Sequence, residues 1–176
     1  MDRPSDAERV LDLTRSRPPT LGTGRLICVD GPAGSGKTTL ASQLGAPVIH
    51  LDELIEGWTG LRTVDAQLDG LLRPHQSGLP GTYRRYDWLA GEYAETVAVP
   101  PVPLLVLEGV GSGSLVVADL VTVLVWMEAP YDVRMARGIE RDGDAFEPHW
   151  EMWAAEEADH FAGHGTRERA DLHLRT

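Results

Sequence analysis

Residues 31–38, Gly31-Pro32-Ala33-Gly34-Ser35-Gly36-Lys37-Thr38, match the phosphate-loop pattern G-x-x-x-x-G-K-[ST] in full. Glycines in such a loop let the backbone turn tightly, so that consecutive N–H groups converge on a β-phosphate. The positive end of the following helix adds to the same spot. In this arrangement Lys37 reaches the β- and γ-phosphates and the Thr38 hydroxyl ligates Mg²⁺. Gly31, Ala33, Gly34, Ser35, Gly36, Lys37, Thr38 and Thr39 are therefore the expected binding set for ATP and Mg²⁺. The flanks agree with the motif: the apolar run Leu26-Ile27-Cys28-Val29 precedes it, and the helix-forming stretch Thr39-Leu40-Ala41-Ser42-Gln43-Leu44 follows.

Three acids end apolar runs: Asp30, Asp52 and Glu108. In open α/β sheets ligands bind beyond the carboxyl ends of the strands, which makes these positions candidates for chemistry. Asp30 directly precedes the loop and is expected to be structural. Asp52 lies where a carboxylate can take a proton from an acceptor hydroxyl, with Glu53 as its neighbour and substitute. Glu108 is expected to orient Mg²⁺ through water or to hold the acceptor hydroxyl. Arg134, Arg137 and Arg141 fall three and four residues apart and share a helix face. Guanidinium forks match phosphate oxygens, so Arg137 and Arg141 are expected to neutralise the transferring phosphoryl group. The plainer alternative is a surface row paired with Asp132, Glu140, Asp142 and Asp144.

Trp58, Tyr83, Tyr86 and Trp88 sit in polar, turn-rich sequence. Aromatics there either stack a flat acceptor such as a nucleobase or pack an inserted segment onto the domain. With Arg84, Asp52 and Glu108, the residues Tyr83, Tyr86 and Trp88 complete the expected acceptor set. Trp150, Trp153 and Phe161 follow helical spacing and read as core or lid packing. His160 and His164, at i and i+4, lack the glutamate context of a zinc helix, so zinc is not expected.

The elements that must position these residues alternate between continuous apolar strands and helices. Strands are expected at 25–30, 48–51, 104–107, 121–126 and 172–174. Helices are expected at 6–15, 37–44, 64–72, 131–142 and 149–161, and a loop or short hairpin near 78–88. Apolar strands alternating with helices build a parallel sheet covered on both faces, a three-layer α/β architecture. The 176 residues suit a single domain. A formal net charge of −11 argues against a nucleic-acid or anionic-membrane partner, while a small phosphorylated ligand needs only a local cationic pocket. The polar start, the lack of any apolar run near the ~20 residues of a membrane span, and the single buried-type Cys28 lead to the expectation of a cytoplasmic protein.

Taken in order, several segments resemble the uridine kinase-like branch of P-loop nucleoside and nucleotide kinases, particularly compact bacterial members. They are Asp30-Gly31 through Thr39, His50-Leu51-Asp52-Glu53, Tyr86-Asp87-Trp88, Leu107-Glu108-Gly109, Arg134/Arg137/Arg141-Asp142 and Arg169-Ala170-Asp171-Leu172. The resemblance implies a five-stranded parallel sheet in order 2-3-1-4-5, Asp52 as catalytic base, and Glu108 in metal or acceptor binding. It also implies an acceptor-binding insertion (residues 55–103) whose Tyr86-Asp87-Trp88 contacts a nucleoside, and an arginine-bearing lid (131–147). Uridine kinases proper continue with a His and an Arg that help hold the nucleoside, where this chain has Leu89-Ala90-Gly91-Glu92-Tyr93. Kinase chemistry follows from the resemblance; pyrimidine specificity does not. The expected activity is transfer of the γ-phosphoryl of ATP–Mg²⁺ to a small, nucleoside-like hydroxyl acceptor. Rival readings are a nucleoside monophosphate kinase, with Arg84-Arg85 on the acceptor phosphate, a kinase of a non-nucleotide metabolite or drug, and a nucleotide-binding regulatory module without turnover. The Asn-Lys-x-Asp signature of a GTPase is absent.

Overall fold

In the computed structural model, which describes residues 3–176, the elements follow in the order α1 (Asp6–Ser16), β1 (Arg25–Asp30), α2 (Lys37–Ser42), β2 (Val48–His50), α3 (Val64–Leu72), β3 (Gly81–Asp87), β4 (Glu92–Val99), β5 (Leu104–Glu108), β6 (Val123–Glu128), α4 (Tyr131–Asp142), α5 (Trp150–His164), α6 (Thr166–Arg169) and β7 (Leu172–Arg175). Five strands form one sheet in the order β2-β5-β1-β6-β7, every neighbouring pair parallel. Counted among themselves these strands run 2-3-1-4-5, as expected. The numerals shift only because β3 and β4 form a separate antiparallel hairpin between the second and third of them.

Strand alternation sends successive side chains to opposite faces. Leu26, Cys28, Leu105, Leu107 and Leu124 pack into one core with α3 and α5, while Ile27, Val29, Val106, Val123 and Val125 pack into a second with α1 and α2. Burying each such aliphatic side chain contributes roughly 1.5–3 kcal/mol, so a strand with apolar residues on both faces is held from both sides. That is the three-layer arrangement. Helix α1 begins with a capping box, in which Ser5 and Glu8 satisfy each other's backbone N–H groups. Helix α3 buries Val64, Leu68, Leu71 and Leu72, the face that its spacing predicts.

Several boundaries differ from the expectation by a residue to three, and one strand lies outside it altogether. The fourth sheet strand covers Val123–Glu128, not 121–126, because Thr122 already turns toward β1, its amide donating to Leu26 O and its hydroxyl accepting from Leu26 N–H. The strand then runs on to pair Met127 with Leu174 and Glu128 with Arg175. Helix α2 stops at Ser42, since Gln43 and Leu44 close tighter turns onto Leu40 and Ala41. Strand β4 has no counterpart in the sequence reading. It is exposed along one side, and only Tyr93, Val97 and Val99 of its inward set are apolar and half-buried, too thin an alternation to stand out. No helix among the described residues is long and apolar enough to cross a membrane.

Candidate active site

The phosphate loop leaves β1 at Asp30 and enters α2 at Lys37. The fully buried Asp30 carboxylate accepts N–H bonds from Gly31 at 2.7 Å, Gly113 at 2.8 Å and Gly111 at 3.1 Å. Burial outweighs those bonds and pushes its pKa up to about 6. Asp30 thus fastens the root of the loop to the segment that follows β5, the structural role expected of it. Gly36 is the N-cap of α2 and no side chain caps the helix, which leaves its first amides without an internal partner. The Ser35 hydroxyl, inside the loop, is buried with no hydrogen-bond partner.

Lys37 is 7% exposed, and its ammonium donates to Pro32 O across the loop at 2.8 Å. Burial lowers its pKa, opposed by the carboxylates of Glu157, Asp30 and Glu108 in that order. No carboxylate makes a direct ion pair with it among the described residues. Its charge is held in the protein yet available to a phosphate. Free amides, an orphaned hydroxyl and an unpaired buried cation are the complement of a polyphosphate, so the residues present fit ATP.

Parallel register places His50 beside Glu108, and Glu108 beside Val29, at the carboxyl edge of the sheet. Glu108 Oε1 accepts from Thr38 Oγ1 at 3.2 Å and lies 2.5 Å from His50 Nδ1. Burial works against charge on His50, but the hydrogen bond to Glu108 and its charge more than offset this, and the His50 pKa is raised. Thr38 and Glu108 are hard oxygen donors to one side of the loop. No group of three His, Cys, Asp or Glu able to hold a metal occurs among the described residues. Mg²⁺ bound through a nucleotide needs only one or two protein oxygens besides phosphates and water, so the Thr38–Glu108 pair fits that ion.

Asp52 sits on the single turn Leu51–Glu53 that ends β2. Leu51 is fully buried and anchors the turn, which leaves the Asp52 side chain accessible. Neighbouring protein atoms and then Glu108 raise the Asp52 pKa, Glu53 adds to this, and His50 and Arg141 pull the other way. The insertion is fixed to this turn twice. Trp88 Nε1 donates to Asp52 O at 2.9 Å, and the Tyr83 hydroxyl donates to Glu53 Oε2 at 2.6 Å.

The expected acceptor residues are only partly brought together. Tyr83 belongs to the core and is 6% exposed, so it reaches the site through Glu53 and has no face to offer a flat ligand. Arg84 lies over the Tyr93 ring at 4.5 Å, and Arg85 is held by Glu95 through two bonds of 2.7 and 3.0 Å. Tyr86 meets Trp88 edge-on at 5.4 Å, and Trp88 meets Trp58 edge-on at 5.1 Å. Trp58 in turn stacks on His149 at 4.8 Å. An aromatic wall therefore runs from the hairpin tip beside Asp52 to the segment between α4 and α5.

The arginine row divides. Arg134 and Arg137 hold carbonyls of the loop itself, Ala33 O at 3.2 Å and Gly34 O at 3.1 Å, and Arg137 also donates to Thr176 Oγ1 at 2.8 Å. Arg141 is exposed, makes its hydrogen bonds to Asp142, and its charge acts on both Lys37 and Asp52. Sequence reasoning missed Glu157, whose Oε2 accepts the Ala33 N–H at 3.0 Å. A signal was there: Glu157 continues the buried stripe Trp150-Trp153 at helical spacing, where a charge needs a reason.

No protein-family profile matches the sequence, and no curated protein matches it. Two solved structures superpose along nearly the whole chain. A possible uridine kinase from Bacillus stearothermophilus aligns with a TM-score of 0.62 and 21% identity, over 94% of this chain and 97% of that one. The chain shares the fold of that structure, a three-layer α/β domain around a parallel sheet. A candidate fructose transport system kinase from Silicibacter sp. TM1040 aligns with a TM-score of 0.59 and 16% identity, over 97% of this chain and 99% of that one.

Proposed function

We propose that this protein is an ATP–Mg²⁺-dependent phosphotransferase acting on a hydroxyl of a small acceptor, with an unphosphorylated nucleoside as the leading candidate. The observation that carries the reading is the convergence of Lys37, Thr38, Glu108 and Asp52 at one edge of the sheet, with Thr38 and Asp52 linked to Glu108 by contact and by charge. A mere nucleotide sensor has no use for an accessible carboxylate of raised pKa beside the phosphate loop.

In this reading Lys37 and the loop amides hold the β- and γ-phosphates. Thr38 and Glu108 hold Mg²⁺, which, when bound, supplies charge neutralisation between the phosphates. Asp52 orients the acceptor hydroxyl and takes its proton as the acceptor oxygen bonds to the γ-phosphorus and the bond to the β-phosphate oxygen breaks, releasing ADP. Arg141, uncommitted to the loop, neutralises the transferring group when the lid segment 131–147 closes, with Arg137 beside it at the loop. The insertion 55–103 holds the acceptor against Trp88 and Tyr86. An acceptor phosphate would need free cations in this insertion. Arg85 is engaged by Glu95, which weighs against its holding an acceptor phosphate, whereas Arg84 lies exposed over the Tyr93 ring and keeps its charge.

The test is ADP release from ATP–Mg²⁺ against a panel of nucleosides, nucleoside monophosphates, sugars and amino sugars, with Lys37→Ala as the blank. Acceptor-dependent ADP above that blank is the expected result. Native protein that binds ATP but releases no ADP with any acceptor would turn the reading toward a nucleotide-sensing module.

A further inference from the structure

Two buried charges behind the phosphate loop have no part in the transfer just described. Glu157 on α5 is 3% exposed, and the Arg134 side chain is 12% exposed. Glu157 accepts the N–H of Ala33 at 3.0 Å, and Arg134 donates to the C=O of the same residue at 3.2 Å. The two side chains face each other at 3.5 Å, and Arg134 Nε is steadied by Ala129 O at 3.1 Å. The ring is closed: both polar groups of one loop residue are gripped by a carboxylate and a guanidinium from separate helices, more than a hundred residues away in sequence. The backbone of α4 also presses on the loop, since a Cβ at Gly34 would come within 2.5 Å of Arg134 O. A buried ion pair of this kind adds little net stability over apolar packing, so its retention calls for another role.

We propose that Glu157 and Arg134 form a clasp on the Ala33 peptide that holds the phosphate loop in its nucleotide-accepting shape, with Glu157 as a positioning residue. This rests on the reading of the loop as the ATP site. Elsewhere in the loop Ser35 N–H donates to Pro32 O at 3.3 Å, and Lys37 donates to that same carbonyl, so the clasp grips the residue next to the carbonyl that locates Lys37. Burial raises the Glu157 pKa, opposed first by the Ala33 N–H and then by the charges of Lys37 and Arg134; of these, Ala33 and Arg134 are the partners in the clasp.

Charge and shape make opposite demands here, and that separates the proposal from its alternatives. Removing a carboxylate near bound phosphates tightens binding if only charge matters. Losing the clasp loosens it. The experiment titrates Mg–ADP into native protein, Glu157→Ala, Glu157→Gln, Arg134→Ala and the Glu157→Ala/Arg134→Ala double variant, with folding checked by circular dichroism. Glu157→Ala and Arg134→Ala are each expected to raise the Kd at least about tenfold, the loss typical of a charge-assisted hydrogen bond. The double variant should be little worse than the poorer single one, because the ring fails as a unit. Glu157→Gln keeps an oxygen for the Ala33 N–H and should bind within about threefold of native or more tightly. If Glu157→Ala does not fold, Arg134→Lys takes its place, because it keeps the charge but not the fork that joins Ala33 O, Glu157 and Ala129 O: a Kd raised at least about threefold supports the clasp, and native affinity overturns it. A Kd for Glu157→Ala or Arg134→Ala within about twofold of native, or a weakening in Glu157→Gln as large as in Arg134→Ala, overturns the clasp. Native protein that does not bind Mg–ADP at all removes the ATP reading and the clasp together.

Discussion

Gly34 offers the sharpest test of how the loop is built. Its φ is +78°, and an added Cβ would lie 2.5, 2.9 and 3.0 Å from the carbonyl oxygen, Cα and carbonyl carbon of Arg134. All three are backbone atoms of α4, so no side-chain rotation relieves the overlap. Ordinary C···O contacts are about 3.3–3.6 Å, so the helix must retreat by roughly 0.8 Å or more. Left-handed backbone at a residue with a Cβ costs about 1–2 kcal/mol, and overpacking of this kind adds about 1–3 kcal/mol. Gly45 separates the two terms. It has φ +65° and nothing within 4 Å of its hypothetical Cβ, so Gly45→Ala carries the backbone term alone. Gly34→Ala is therefore expected to be less stable than Gly45→Ala by about 1–3 kcal/mol in urea unfolding. Retreat of α4 would also stretch the bonds of Arg134 to Ala33 O and of Arg137 to Gly34 O, now 3.2 and 3.1 Å, past the useful range. Mg–ADP affinity should then drop at least about tenfold in Gly34→Ala, a loss of about 1.4 kcal/mol, and stay native in Gly45→Ala. Equal destabilisation of the two variants, with native affinity in both, would refute the idea that α4 is packed against the loop and shapes it.

With an acceptor in hand, Asp52→Asn should cut kcat by about 10²–10⁴ while Mg–ADP affinity stays within about threefold, and an unchanged kcat would sink the base assignment. Because the Asp52 pKa is raised, the native kcat/KM should climb with pH along a limb displaced upward from that of an ordinary aspartate, and Asp52→Asn should flatten it. Asp30 makes a stability prediction of defined sign: its folded pKa of about 6 exceeds the ordinary 3.8, so folding takes up a proton and stability is lost as pH rises between those values. The unfolding free energy of native protein relative to Asp30→Asn should accordingly fall by about 2 kcal/mol from pH 3.8 to pH 6.5, read by urea titration at several pH values, and a flat difference would contradict the buried, titrating carboxyl.

Local chemistry made much of the site legible. The phosphate loop is a run of eight consecutive residues whose function depends on their own backbone, and its strand and helix flanks are signalled by nearest neighbours. Buried parallel strands announce themselves as unbroken apolar runs, which is why β1 and β5 and their acidic ends, Asp30 and Glu108, could be picked out without coordinates. Strand β4 could not, because one face offers only the half-buried Tyr93, Val97 and Val99 and the other meets water, and its pairing with β3 is not written in either strand alone.

What only the tertiary structure decided is which side chains meet. Tyr83 and Trp88 are similar signals in the sequence, yet the pleat of β3 buries the first beneath Glu53 and leaves the second at the tip, against Asp52. Arg134, Arg137 and Arg141 share one helical face, but contact with the loop commits the first two to its carbonyls and leaves the third beside Lys37 and Asp52. Glu157 lies 124 residues from the peptide it holds. Spacing along a helix or strand is set by fixed local geometry and can be read from residue types. Contacts between elements depend on how sheet register and helix packing bring distant residues together, and the folded core alone determines that.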